Sequence, residues 1–262
     1  MNCPSERERL AATFTHPGVA GAYQHRPPYP AEVFSLLERL ITDRPRTVLD
    51  LGAGEGALAR PLAGLVDHVD ALDISAAMVS AGRRRPGGRQ PNLRWVVGPA
   101  ETARLGGPYA LVTAGASLHW MSWPRTLPRL AAAMTANAYL AIVEHGYDHL
   151  PWRTELTEII RRHSCNPGYD PEFSLVHALC GSGLFETAGQ AAVIPDPIRQ
   201  SVPSYVEHFH STASLARELM PAEDSAAFDH EVADLVGPYA VDGLLEMNVV
   251  TQLDWGRITV VS

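Results

Sequence analysis

The stretch Val48-Leu49-Asp50-Leu51-Gly52-Ala53-Gly54-Glu55-Gly56 constrains this chain more than any other. A short apolar strand runs straight into three glycines at alternate positions. Glycine reaches left-handed backbone without a Cβ penalty and lets the main chain approach a neighbour or ligand closely. Residues 57–65 then read as a helix, so the whole is a strand–turn–helix unit of the kind that opens a parallel sheet.

The same alternation continues. Residues 69–73 form a second apolar strand, and Ser75 caps a helix running towards Arg85. Strands follow at 93–97, 110–114 and 139–143, with a helix around 125–134 between the last two. Upstream, Pro30 opens a helix whose apolar face is Val33, Leu36, Leu37 and Leu40. Strands that are apolar throughout belong to a parallel sheet covered on both faces. Beyond Glu144 the alternation fades into helices near 152–164, 171–179, 203–210 and 221–236. Two late strands, 249–254 and 257–261, read as an antiparallel pair at the sheet edge. The expected fold is α/β: a doubly wound, mostly parallel, seven-stranded Rossmann-like sheet with a small helical cap. A single domain over 1–262 is expected, with an N-terminal lid over about 1–45 and the cap inserted over about 199–243.

Composition narrows the function. The net charge is −8 and all 21 basic residues are arginine, scattered apart from Arg83-Arg84-Arg85 at a helix end. That balance argues against a nucleic-acid partner, which calls for a basic patch or stripe. No apolar run approaches the roughly 18 residues of a membrane span. The first nine residues are too charged for a signal peptide, so a cytoplasmic protein is expected. Cys3, Cys165 and Cys180 are widely spaced, and the pairs His145/His149 and His208/His210 lack acidic or cysteine partners at suitable spacing. No metal site is expected.

Ligands of open parallel sheets bind outside the carboxyl ends of the strands. Asp50 stands there before the glycine turn, placed to receive an ammonium group. Asp73, 23 positions later (73 − 50), ends the next strand, where an acid can accept both hydroxyls of a ribose. Ala100-Glu101 follows the third strand and Gly115-Ala116-Ser117-Leu118-His119-Trp120 the fourth. A dinucleotide fingerprint would be Gly-x-Gly-x-x-Gly with a helix start holding pyrophosphate. Here the glycines fall at 52, 54 and 56 behind a carboxylate that would oppose pyrophosphate. The residues therefore favour S-adenosylmethionine (SAM) over a dinucleotide.

With these motifs the chain resembles the class I SAM-dependent methyltransferases, most closely the bacterial methyltransferase-11-like subgroup that opens with a Tyr…Arg-Pro-x-Tyr-Pro signature. The carrying residues are Ala22-Tyr23-Gln24-His25-Arg26-Pro27-Pro28-Tyr29-Pro30, the Asp50–Gly56 turn, Asp73-Ile74-Ser75 with Met78, Ala100-Glu101, Ser117-Leu118-His119-Trp120 and Pro151-Trp152. The resemblance extends to about residue 165. It implies that Asp50, Gly52, Ala53 and Gly54 hold the methionine part, Asp73 the ribose, and Ile74 and Met78 the faces of adenine. Ala100 and Glu101 then line the adenine edge, Gly115 and Ala116 flank the cofactor, and Tyr23 and Arg26 close over it. Thr135-Ala136-Asn137 replaces the relatives' Pro-Gly-Gly, a turn change, and Tyr23 and Arg26 stand one residue closer than in many relatives.

The expected activity is methyl transfer to an O, N or C nucleophile of a small molecule such as a secondary metabolite. The alternative is a SAM-fold protein that binds the cofactor without methyl transfer. His119 is the candidate general base, against a purely pocket-shaping role beside Trp120; the sequence leaves both open. Trp120, Glu144, His145, Tyr147 and the run Tyr205, His208, Phe209, His210, Ser211, Arg217 are candidates for the acceptor site, with ordinary loop and amphipathic-helix roles as the competing reading.

Overall fold

A computed structural model describes residues 6–259; Cys3 and the last residues of the second late strand lie outside them. Its strands are β1 (Thr47–Leu51), β2 (His68–Asp73), β3 (Leu93–Val97), β4 (Tyr109–Gly115), β5 (Met134–Asp148), β6 (Phe185–Val193), β7 (Ile198–Ser201) and β8 (Leu244–Ile258). The helices are α1 (Glu6–Ala12), α2 (Pro17–Ala22), α3 (Ala31–Arg39), α4 (Ala59–Ala63), α5 (Ala76–Arg84), α6 (Trp123–Ala133), α7 (Arg153–His163), α8 (Leu175–Gly181), α9 (Val202–Phe209) and α10 (Ala222–Val236). No helix among the described residues is long and apolar enough to cross a membrane.

The chain divides into two compact units. The sheet unit comprises residues 28–146, 174–193 and 251 onwards; the helical unit comprises the residues up to 27, 147–173 and 194–250. The helical unit therefore draws on three separated segments, of which 199–243 is the core of one.

Seven strands follow the order β3-β2-β1-β4-β5-β8-β6, with β7 paired to the start of β8. The neighbours from β3 to β5 are parallel, and β6 and β8 run antiparallel. The doubly wound, mostly parallel seven-stranded sheet is thus present, with β7 as a short eighth strand. One correction concerns its edge. Over the described residues, the two late strands expected at 249–254 and 257–261 fall on a single strand, β8, which ends at Ile258 and pairs there with the antiparallel β6.

Alternation along β1 shows how both faces are covered. Val48 joins a core with Val33 and Leu37 of α3, Leu62 of α4 and Val79 of α5. Leu49 and Leu51 join another with Leu127 and Leu130 of α6 and Leu175 and Leu179 of α8. Successive side chains of a strand point to opposite faces, so a strand apolar at every position needs helices on both sides. The helical unit has its own core, built from Trp152, Leu156, Tyr205, Phe209, Phe228 and Val232 with Leu245 and Met247 of β8.

Candidate functional site

At the carboxyl end of β1, Gly52, Gly54 and Gly56 all take positive φ, at 69°, 56° and 78°. The amides of Gly52 and Ala53 both donate to the carbonyl of Leu72 at the end of β2, at 2.8 and 2.9 Å. Space as well as dihedral demands glycine at position 52. A Cβ there would lie 2.5 Å from the Ser117 Cβ and 3.2 Å from the Met121 Cε. At Gly56 and at Gly82 of α5 the obstacle is the Trp95 indole, 2.5 and 2.3 Å from a Cβ. Trp95 is wedged between turn and helix, its Nε1 donating to the Gly88 carbonyl at 2.9 Å.

Two buried carboxylates hold this turn. Asp73 accepts the Gly54 amide on one oxygen and the Ser75 amide on the other, each at 2.7 Å. Asp50, 1% exposed, accepts the Ala59 amide at 3.0 Å and the Thr113 hydroxyl at 2.9 Å. Burial pushes the Asp50 carboxyl up to about 7, against the hydrogen bonds from Thr113 and Ala59, and the charge of Asp73 pushes the same way. Burial also raises Asp73, opposed by its bonds to Ser75 and Gly54. Among the described residues neither carboxylate has a cationic partner. A carboxylate spends only part of its acceptor capacity on two hydrogen bonds, so both retain lone pairs for a ligand.

The surrounding strand ends differ in what they offer. Ile74 and Val97, just past β2 and at the end of β3, leave 45% and 52% of their surface exposed. Met78, by contrast, is fully buried, and its amide is capped by the Ser75 hydroxyl at 3.1 Å. The apolar surface at this position is therefore Ile74. Ala100 is buried and its carbonyl takes the Arg129 guanidinium at 2.7 Å. Glu101 accepts the Ser122 amide at 2.8 Å, bracing the entry to α6. Past β4, a Cβ on Gly115 would lie 2.9 Å from the Tyr29 hydroxyl and 3.0 Å from Leu58, and Ala116 has φ 47°. The Ser117 hydroxyl donates to the Leu51 carbonyl at 2.5 Å. His119 and Trp120 follow in a 3-10 turn with ring centroids 4.6 Å apart.

Towards the far side of the same sheet, His145 stacks on Tyr29 at 4.2 Å and meets the Thr251 hydroxyl at 3.0 Å through Nδ1. Burial, and then the charge of Asp254, raises Glu144.

Described by itself, the helical unit holds the remaining sequence candidates. Arg26 lies 4.2 Å over the Tyr23 ring, and its guanidinium donates to the Ser211 hydroxyl and carbonyl at 2.7 and 2.9 Å. Tyr205 is buried and takes the Trp152 indole N–H at 3.0 Å. Both ring nitrogens of His210 are engaged, by the Leu215 carbonyl and by Asp229, each at 2.7 Å. Arg217 bridges Glu207 and Asp229. Tyr205, His210 and Arg217 thus each meet protein partners within this unit. Sequence reasoning did not find Thr113, Trp95 or Gln200, whose roles depend on partners distant in the chain.

Residues 48–137 match the family described as methyltransferase domain. An uncharacterized methyltransferase of Mycobacterium tuberculosis is 32% identical over 111 residues, 42% of this chain and 55% of the relative. A trans-aconitate 2-methyltransferase of a Mycobacterium species is 37% identical over 116 residues, 43% of each chain. The chain spans about half the length of the curated relatives it matches. Among solved structures, a SAM-dependent methyltransferase from Thiobacillus denitrificans in complex with S-adenosylhomocysteine aligns with a TM-score of 0.53 at 14% identity, covering 99% of this chain and 100% of that one. Another, from Geobacter sulfurreducens, aligns at 0.52 and 16% identity, covering 90% and 93%. The fold is that of the class I SAM-dependent methyltransferases.

Proposed function

We propose that this chain, whose residues 48–137 form a methyltransferase domain, binds S-adenosylmethionine and methylates an O, N or C nucleophile of a small molecule. The observation that carries the reading is the glycine turn between two buried carboxylates, Asp50 and Asp73, that no cation of the described residues neutralises. A turn with three left-handed glycines leaves backbone where side chains would stand, and the two acids suit a cationic ligand with a ribose. The cofactor supplies a methyl group on a sulfonium, whose thioether is an excellent leaving group. The protein's part is then to bind, to align and to exclude water. Asp73 holds the ribose hydroxyls, Ile74 offers an apolar face to adenine, and Asp50 favours the ammonium end. A relative named for trans-aconitate supports a small-molecule acceptor.

Asp73→Ala removes both the ribose partner and the acceptor of the Gly54 and Ser75 amides. It is expected to weaken S-adenosylhomocysteine binding by about 1–3 kcal/mol in titration calorimetry. Unchanged affinity removes Asp73 from the site, and binding of NAD in place of SAM overturns the cofactor assignment. His119 is the candidate base of this reading, on its position in the turn that follows β4. A base role predicts roughly 100-fold slower methyl transfer in His119→Ala, with cofactor affinity intact; a loss below about tenfold assigns it to packing instead.

A further inference from the structure

Among the described residues of the helical unit, the Thr13 hydroxyl, the Tyr147 hydroxyl and the Gln200 Oε1 are buried without any hydrogen-bond partner. Gln200 Nε2 donates to the His25 carbonyl at 2.7 Å and to the Ser204 hydroxyl at 3.0 Å. That fixes the amide, because a flipped Gln200 would set its oxygen against a carbonyl that has no hydrogen to give. Oε1 is therefore a true acceptor left open. His25 also meets Ser204 at 2.9 Å through Nδ1. The next residue, Arg26, spends two N–H groups on Ser211. A guanidinium has five, and no carboxylate bridges Arg26 among the described residues, whereas Arg162 and Arg199 each bridge one and Arg217 bridges two.

Aromatic rings join these groups. The Tyr147 ring lies 6.3 Å from Tyr205 and 6.2 Å from His208, and His208 lies 4.0 Å from Phe209. His208 Nδ1 donates to the Tyr205 carbonyl at 2.6 Å, and burial lowers the ring to about 4, so the imidazole stays neutral. The Arg26 charge acts on both Tyr147 and His208. One cluster thus combines an unneutralised cation, an idle hydroxyl donor, an idle amide acceptor and apolar aromatic walls. Native interiors rarely leave such atoms idle, and a few polar anchors in an aromatic wall describe a small-molecule pocket.

We propose that Arg26, Tyr147 and Gln200 form the recognition site for a small carboxylate that also carries a hydroxyl or N–H group. Arg26 and the Tyr147 hydroxyl hold the carboxylate, and Gln200 Oε1 accepts from the donor. Naming this ligand the methyl acceptor rests on the methyltransferase reading; the binding itself does not.

The test is titration calorimetry on the full chain with 4-hydroxyphenylacetate as probe. Phenylacetate, which lacks the donor, and 4-hydroxyphenylacetamide, which lacks the charge, are the controls. Both controls are expected to bind at least about tenfold more weakly than the probe. Tyr147→Phe and Gln200→Leu should each weaken the probe by about tenfold while leaving S-adenosylhomocysteine affinity within about twofold. Absence of probe binding, or equal affinity for the amide, overturns the proposal. So does a gain in thermal stability by both variants with unchanged probe affinity, which would mark the two atoms as packing defects. Probe binding by a chain that fails to bind S-adenosylhomocysteine would sink the cofactor reading and leave this site standing.

Discussion

Gly52→Val is expected to destabilise the protein by about 2–5 kcal/mol and to abolish cofactor binding. Two independent effects add. A β-branched residue at φ 69° is a true outlier, since left-handed backbone costs an L-residue about 1–2 kcal/mol. The Cβ would also stand 2.5 Å from that of Ser117, and overpacking costs about 1–3 kcal/mol more. A typical domain has only about 5–15 kcal/mol to lose. Ser117 cannot simply swing aside, because its hydroxyl is tied to the Leu51 carbonyl. Urea denaturation measures the loss, and Gly52→Ala with Ser117→Gly separates its parts: the double variant should recover the packing component and keep the backbone one. Gly181→Ala in α8 is the control, since a Cβ there meets nothing within 4 Å. It should be neutral or gain about 0.5–1 kcal/mol. Wild-type stability in Gly52→Val would mean that the turn does not have this backbone.

What was legible in the sequence follows from which constraints are local. Strands β1, β2 and β4 could be read because both faces are buried, leaving near-continuous apolar runs such as 47–51 and 109–115. Strand β6 could not. Phe185-Glu186-Thr187-Ala188-Gly189-Gln190 buries only Phe185, because an edge strand pairs on one side and shows no apolar face. The fifteen residues of β8 read as two pieces parted at Trp255-Gly256, where the buried Asp254 breaks the alternation that Leu245, Met247, Val249, Thr251 and Leu253 keep. In the site, glycines and acids are written in residue type and were found. Their partners were not, since Asp50 to Thr113 spans 63 positions and Gln200 to His25 spans 175. His210 and Arg217 read as open polar groups because the acid that occupies both, Asp229, belongs to another helix. A polar letter announces a hydrogen bond; only the fold says whether a ligand or a neighbour receives it.

Asp50 should make stability fall as pH rises through the neutral range, the reverse of ordinary acid denaturation. Its folded-state carboxyl titrates at about 7 and its unfolded one near 3.8. Below about pH 3 both states hold the proton, and the group is neutral in its effect. Between about 4 and 7 the unfolded chain releases the proton while the folded chain keeps it, so every rise in pH favours unfolding. Above 7 both are ionised and the penalty levels off at about three units of about 1.4 kcal/mol each, roughly 4 kcal/mol. The raised Asp73 adds in the same sense. Asp50→Asn can keep both contacts, its oxygen accepting the Ala59 amide and its NH2 donating to the Thr113 hydroxyl, which can rotate to accept. The variant should therefore match the wild type near pH 3, where both states hold the proton, and exceed it by several kcal/mol, about 2–4, near pH 8 in urea denaturation. A difference that stays flat with pH would show that Asp50 is ionised at little cost. The same variant should pay in function. A cationic ligand beside Asp50 favours its charged form, so S-adenosylhomocysteine affinity in the wild type should climb between pH 5.5 and 7.5 and stay level in Asp50→Asn. The fold would then hold an acid at the end of β1 that weakens it at neutral pH, kept because the cofactor needs the charge there.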